Sequence, residues 1–252
     1  MGRKQFFGSL MAANILDFGF FYLVQGLVVA LLIFFLFRGL WNRLTGVFLY
    51  LAAMLLIDGV GRRYVFHQYG YNSLEYFYFY WLTDTALALG AFLLIYAFFR
   101  RACANEDRKL WRHVRLLLVL VFVLVLGIST LSISKNYDHL FSMFMFKFQQ
   151  NLYFTCLVLN TLLYIMMQQR DSEDSELGLL VCGMGLQFAG PAASFALKSL
   201  TPTSGFTEML MDFIGPLCTL GMLLIWSYAV TRKPATARVP ASGEMVPARV
   251  PG

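Results

Sequence analysis

Apolar residues run along this chain in long blocks separated by short polar interruptions, and seven blocks are long enough to form membrane-crossing helices. They cover residues 18–38, 44–61, 75–99, 114–133, 143–167, 178–200 and 206–230. About 20 apolar residues in an α-helix cross a hydrocarbon core of about 30 Å, and a helix satisfies its own backbone hydrogen bonds there. The pattern predicts an all-α bundle of seven transmembrane helices. A shorter apolar block over 5–16 cannot cross and is expected to lie in the interface, with Phe6 and Phe7 as lipid anchors. Three parts follow: an interfacial segment over 1–17, the seven-helix domain over 18–231, and a tail over 232–252. The tail holds four of the seven prolines, repeats Ala-Arg-Val-Pro twice and has no aromatic residue. Such a composition cannot bury enough apolar surface to fold, so a disordered cytoplasmic tail is expected.

Composition strengthens this reading. Of the 252 residues 59% are hydrophobic and only 13% are charged, about half the charged share of a soluble domain. A water-soluble enzyme and a nucleic-acid-binding domain are both excluded. The net charge of +6 resides mostly at the ends of the apolar blocks, where it sets orientation. With the N-terminus outside, the inner side carries Arg38, Arg43, Arg100, Arg101, Arg108, Lys109, Arg112, Arg115, Arg170, Arg232, Lys233, Arg238 and Arg249. The outer side carries Arg3, Lys4, Arg62, Arg63, Lys135, Lys147 and Lys198, thirteen against seven. The N-terminus is therefore expected outside and the C-terminus in the cytoplasm. The basic loop over 100–115 becomes the candidate surface for a cytoplasmic protein partner.

Ionisable residues inside a span cost at least about 2.5–3.5 kcal/mol at the bilayer centre, so they normally have a partner or a task. Several here share helix faces at i, i+4 spacing. Tyr76, Tyr80 and Asp84 do so on the third span, and Lys147, Asn151 and Thr155 on the fifth. Gln187, Pro191, Ser194 and Lys198 line one face of the sixth, Glu208 and Asp212 one face of the seventh. Asp58 and Arg62 end the second span as a candidate structural ion pair. In the expected orientation all five stripes fall in the outer half, which predicts an inward-facing polar cavity open to the outside. Asp84, Glu208 and Asp212 are its candidate anions, Lys147 and Lys198 its cations, and Tyr76, Tyr80, Asn151 and Gln187 its hydrogen-bonding groups. Helix association is expected to use small residues such as Ala189-Gly190 and Ala192-Ala193.

Other chemistry is not supported by the sequence. His67 and His139 fall in expected outer loops and read as solvated residues, not as metal ligands. No nucleophile–base pair, HExxH motif or cofactor loop is present, so neither an enzyme nor a cofactor is expected. The stretch from Met209 through Asp212 to Trp226 is similar to the last helix of a retinal protein. It lacks the lysine of the Schiff base, and Pro216 stands four residues after Asp212, which excludes bound retinal.

Tyr78, Tyr80 and Trp81, followed by Tyr96-Ala97-Phe98-Phe99-Arg100, resemble the third helix of uncharacterised bacterial seven-span membrane proteins. That resemblance implies a helical bundle in a bacterial cytoplasmic membrane and carries no activity. The sequence leaves three functional readings. First is a receptor-like or sensory module with an outer cavity for a small polar ligand or a proton. The others are a small-solute or ion transporter and a structural subunit of a membrane complex.

Overall fold

The computed structural model describes the backbone of residues 3–70, 73–104, 108–131, 140–169, 174–200 and 205–232. Side chains are described over 19–70, 73–104, 109, 111–131, 144–169, 174–197 and 213–232. Seven long helices occur among the described residues: α1 (Arg3–Phe37), α2 (Thr45–Tyr69), α3 (Leu74–Ala102), α4 (Arg108–Leu131), α5 (Leu140–Gln169), α6 (Ser175–Leu200) and α7 (Gly205–Thr231). No strand occurs among the described residues. All seven contain stretches long and apolar enough to cross a membrane. Large apolar side chains such as Leu116, Leu120, Val123 and Leu124 of α4 point outward, as suits an integral membrane protein whose solvent is hydrocarbon.

Helices that follow one another in the chain run antiparallel, as the side-chain contacts of the last three record. Along α6 and α7, Gly183 meets Trp226, Leu186 meets Gly221 and Gly190 meets Cys218. Along α5 and α6, Tyr153 faces Phe188 and Phe146 faces Phe195. Helix α3 is central and packs against α2, α4, α5 and α6, while α1 closes the bundle against α2 and α7. The core is dominated by Phe35, Leu51, Ile95, Leu152, Leu180, Met184 and Trp226, all at most 1% exposed.

Where hydrocarbon surrounds the helices, apolar burial gives little net drive for association, and close packing has to supply it. Of the expected small residues, Gly190 does so on α6: a Cβ there would stand 3.0 Å from the Cβ of Cys218. Ala192 is 3% exposed. Another close approach lies two turns away, where the Gly183 backbone faces the Trp226 indole, 2.7 Å from where a Cβ would be. That proximity lets Trp226 Nε1 donate to the Leu180 carbonyl at 3.0 Å. On the opposite side of α6, against α5, Asn160 Nδ2 donates to the Val181 carbonyl at 2.9 Å.

Two boundaries differ from the sequence expectation. Residues 5–16 are not a separate helix, because α1 runs unbroken from Arg3 to Phe37 and ends at Gly39, which takes the left-handed conformation at φ 63°. Helix α2 does not stop at Gly61 but continues to Tyr69. The reason is a π-helical stretch over Leu55–Gly61, which keeps the backbone hydrogen-bonded across two glycines where α-helix would be weak. His67 therefore sits in the last turn of α2, not in a loop. The expected disordered tail lies outside the described residues, apart from Arg232.

Candidate functional site

The π-helical stretch is where α2 becomes chemically interesting. π-helical insertions are rare and concentrate at functional sites, and this one carries Asp58 within it and Arg62 directly after it. Arg62 Nη1 lies 2.9 Å from Asp58 Oδ1 on its own helix, and Nη2 lies 3.0 Å from Asp84 Oδ1 on α3. The guanidinium carbon stands 4.4 Å from the centre of the Tyr80 ring. All three ionic side chains are about one-quarter exposed or less. A planar guanidinium is suited to this task, since it offers forked donors on its edge and a face for the aromatic ring.

The ion group forms the wall between two cavities. A central one of about 490 Å3 lies among α2, α3, α5, α6 and α7, lined by Asp58, Arg62, Asp84, Tyr50, Tyr153, Gln187 and Phe195, among others. A second, of about 560 Å3, lies among α1, α2, α3 and α7 and includes Gln25, Arg63, Phe66 and Tyr76. Arg62, Asp58, Tyr80 and Pro216 border both.

The central cavity is rich in acceptors. Two carboxylates share one guanidinium, and among the described residues only one oxygen of each is engaged. Among the described residues Gln187 Oε1 is buried without a hydrogen-bond partner. Pro191, one turn further along α6, has no N–H to offer the Gln187 carbonyl, so that backbone acceptor is released as well. Rings of Tyr50, Tyr153, Phe188 and Phe195 form apolar walls. Below the cavity, toward the end of the bundle where α1 ends and α2 begins, the core closes on Leu51, Ile95, Leu180 and Trp226.

Of the residues singled out from sequence, the fold brings Asp58, Arg62, Tyr80, Asp84 and Gln187 to the central cavity. Tyr76 lines the neighbouring one, with its ring packed at 6.0 Å on Phe66 and 6.4 Å on Tyr80. Arg62 is the cation that serves Asp84, whereas the sequence pattern pairs it only with Asp58. Lys147 and Asn151 line neither cavity. Asn151 Nδ2 donates to Ser129 Oγ of α4 at 3.1 Å, and Lys147 Nζ donates to Gln150 Oε1 at 3.3 Å. Their stripe thus turns toward α4, because α5 presents a different face to α3. That face carries Gln149, which sequence reasoning passed over: its Nε2 donates to Thr85 Oγ1 at 2.9 Å, beside Asp84. The side chains of Lys198, Glu208 and Asp212 lie outside the described residues.

A second polar group, also unforeseen, ties together the opposite end of the bundle. Arg101 Nε donates to Asp174 Oδ2 at 3.0 Å and Nη2 to Glu176 Oε2 at 3.1 Å, while Arg43 pairs with Glu176. Asp174 Oδ1 also accepts from the Leu177 N–H at 3.1 Å, capping the start of α6. An Asp such as Asp174 just before an apolar run is a capping signal in the sequence. No group of three or more potential metal ligands occurs among the described residues.

No protein-family model, no curated protein and no solved structure matches this chain.

Proposed function

We propose that this integral membrane protein is a receptor-like or sensory module that takes a small cationic ligand into the central cavity. One observation carries the reading: Asp58 and Asp84 share a single guanidinium at the wall of an aromatic cavity of about 490 Å3. The group is formally one negative charge in excess, and the remaining acceptors around it look for donors. A compact ammonium satisfies both needs, with Asp84 as the anionic anchor, Gln187 as hydrogen-bond acceptor and the tyrosine and phenylalanine rings as cation–π faces.

Orientation is part of the proposal. Arg43, Arg101, Asp174 and Glu176 gather the α1–α2, α3–α4 and α5–α6 connections at one end, and that end carries most of the Lys and Arg near the helix termini. The positive-inside rule places it in the cytoplasm, with the N-terminus outside and the cavity in the outer half. Ligand occupancy would then bias the ion group between α2 and α3, and a cytoplasmic partner at the 100–115 loop would read the change. The packed core beneath the cavity favours this reading over transport, which needs a polar route through both halves.

The test uses the purified full chain in lipid nanodiscs with tetramethylammonium as probe. Saturable binding that Asp84→Asn weakens at least tenfold is expected, with no tetramethylammonium uptake into proteoliposomes. Saturable uptake would replace the sensory reading with a transporter, and absence of binding would overturn the cavity's assignment.

A further inference from the structure

We infer that the groove between α3 and α4 is a binding site for one anionic phospholipid, with an acyl chain in the groove and its phosphate held by arginines at the mouth. The inference is independent of the ligand reading of the central cavity, which lies on the other side of α3.

Helices α3 and α4 touch only lightly along their length, and they leave a groove of about 430 Å3 between them. Leu89 and Leu93 of α3 and Val119 of α4 line its sides, and the Phe92 and Phe122 rings meet at 5.3 Å across it. From Leu89 to Tyr96 the groove follows α3 for seven residues, about 10 Å, which accommodates a length of hydrocarbon chain and no folded partner. Its polar end is the other half of the argument. Arg115 lines the groove itself. Arg112 stands at i−3 from it on the same face of α4, and Arg100 stands at i+4 from Tyr96 on the groove face of α3.

All three arginines are exposed, and among the described residues none has an acidic partner. The contrast with Arg101, one residue along, is informative: that side chain turns to the other face and is held by Asp174 and Glu176. Of the six basic residues over 100–115, one arginine is thus used within the protein and three are presented around an apolar slot. Tyr96 and Trp111 meet at 5.5 Å beside the mouth, at the level where amphipathic rings favour the membrane–water boundary. An apolar slot ending in unpaired guanidinium groups at that level has the chemistry of an amphiphile with a negative head. Guanidinium forks match phosphate oxygens in pairs, and basic pockets between transmembrane helices are a recognised way of holding anionic head groups.

The experiment is native mass spectrometry of the full chain released from mixed micelles holding equal phosphatidylglycerol and phosphatidylcholine. Retention of one phosphatidylglycerol in preference to phosphatidylcholine is expected. Arg112→Gln/Arg115→Gln is expected to reduce that preference roughly tenfold or more. Lys109→Gln removes one charge about a third of a turn off the groove face and is expected to leave the preference unchanged. Val119→Trp fills the slot with every charge in place and is expected to abolish retention, with circular dichroism verifying its fold; Leu93→Phe is the milder filling variant should it fail to fold. Equal retention of the two lipids overturns the inference. So does an effect of Lys109→Gln equal to that of the double variant, which would mean a diffuse basic surface. Retention that survives both filling variants, or that inorganic phosphate competes away, would reduce the feature to an anion site and likewise overturn it.

Discussion

Replacing Arg62 by glutamine removes the one cation that, among the described residues, bonds Asp58 and Asp84, and the cost follows from the geometry. Two ion pairs at 2.9 and 3.0 Å are lost, together with a cation–π contact at 4.4 Å. Losing one partner of a buried pair costs about 3–5 kcal/mol, because the other charge stays desolvated. Here the group is partly open to a cavity, and one carboxyl can take up a proton, so the lower end, about 3 kcal/mol, is expected. For a chain of this size that is a fall in Tm on the order of 6–12 °C, read from the loss of helical circular dichroism in detergent. Arg62→Lys restores the charge but not the fork that reaches two carboxylates, so it is expected to recover part of the loss. The triple variant Asp58→Asn/Arg62→Gln/Asp84→Asn carries no unpaired charge and is expected to be more stable than Arg62→Gln alone. A cost below about 1 kcal/mol for Arg62→Gln, the value typical of a solvated surface pair, refutes the reasoning. A triple variant no more stable than the single one refutes it equally, since the damage would then not be electrostatic.

Two further outcomes follow from the packing. Gly183→Val places methyl groups against the Trp226 indole, where even a Cβ would stand at 2.7 Å; overpacking of this kind costs about 1–3 kcal/mol, and an unchanged unfolding midpoint would show that α6 and α7 do not depend on that approach. Arg101→Gln releases Asp174 and leaves Glu176 with Arg43 alone; it is expected to cost about 1 kcal/mol and to speed amide hydrogen exchange at the start of α6, with unaltered exchange there as the contrary result.

The seven spans were legible because apolar blocks of that length have few other fates, and the i, i+4 relation of Asp58 to Arg62 could be read directly. What sequence periodicity supplies is a face on one helix; it does not say which neighbour that face meets. Lys147 and Asn151 show the difference: their stripe is real, but it turns to Ser129 of α4, and Gln149 on another face of α5 is the residue that reaches Thr85 of α3. Asp84 could be recognised as costly in a span, while its partner came from another helix across 22 residues. The end of α2 was hidden for a related reason. Two glycines and two arginines in succession resemble an exit from the membrane, and the π-helical stretch together with the carboxylates of Asp58 and Asp84 makes it favourable for Arg62 to stay on the helix.

The π-helical stretch of α2 also sets the phase of everything that follows it. A helix advances about 100° per residue, so an insertion or deletion of one residue rotates all later side chains by that angle against the earlier ones. Val47, Leu51 and Met54, buried ahead of the stretch, and Arg62, paired after it, therefore belong to two angular frames joined by Leu55–Gly61. Shortening that stretch by one residue would keep a helix of nearly the same length and the same apolar character. It would nonetheless swing Arg62 about a quarter-turn from Asp84 while the packing of the first half stayed in place, so the alignment of core and charge in this protein hangs on the residue count of a single turn.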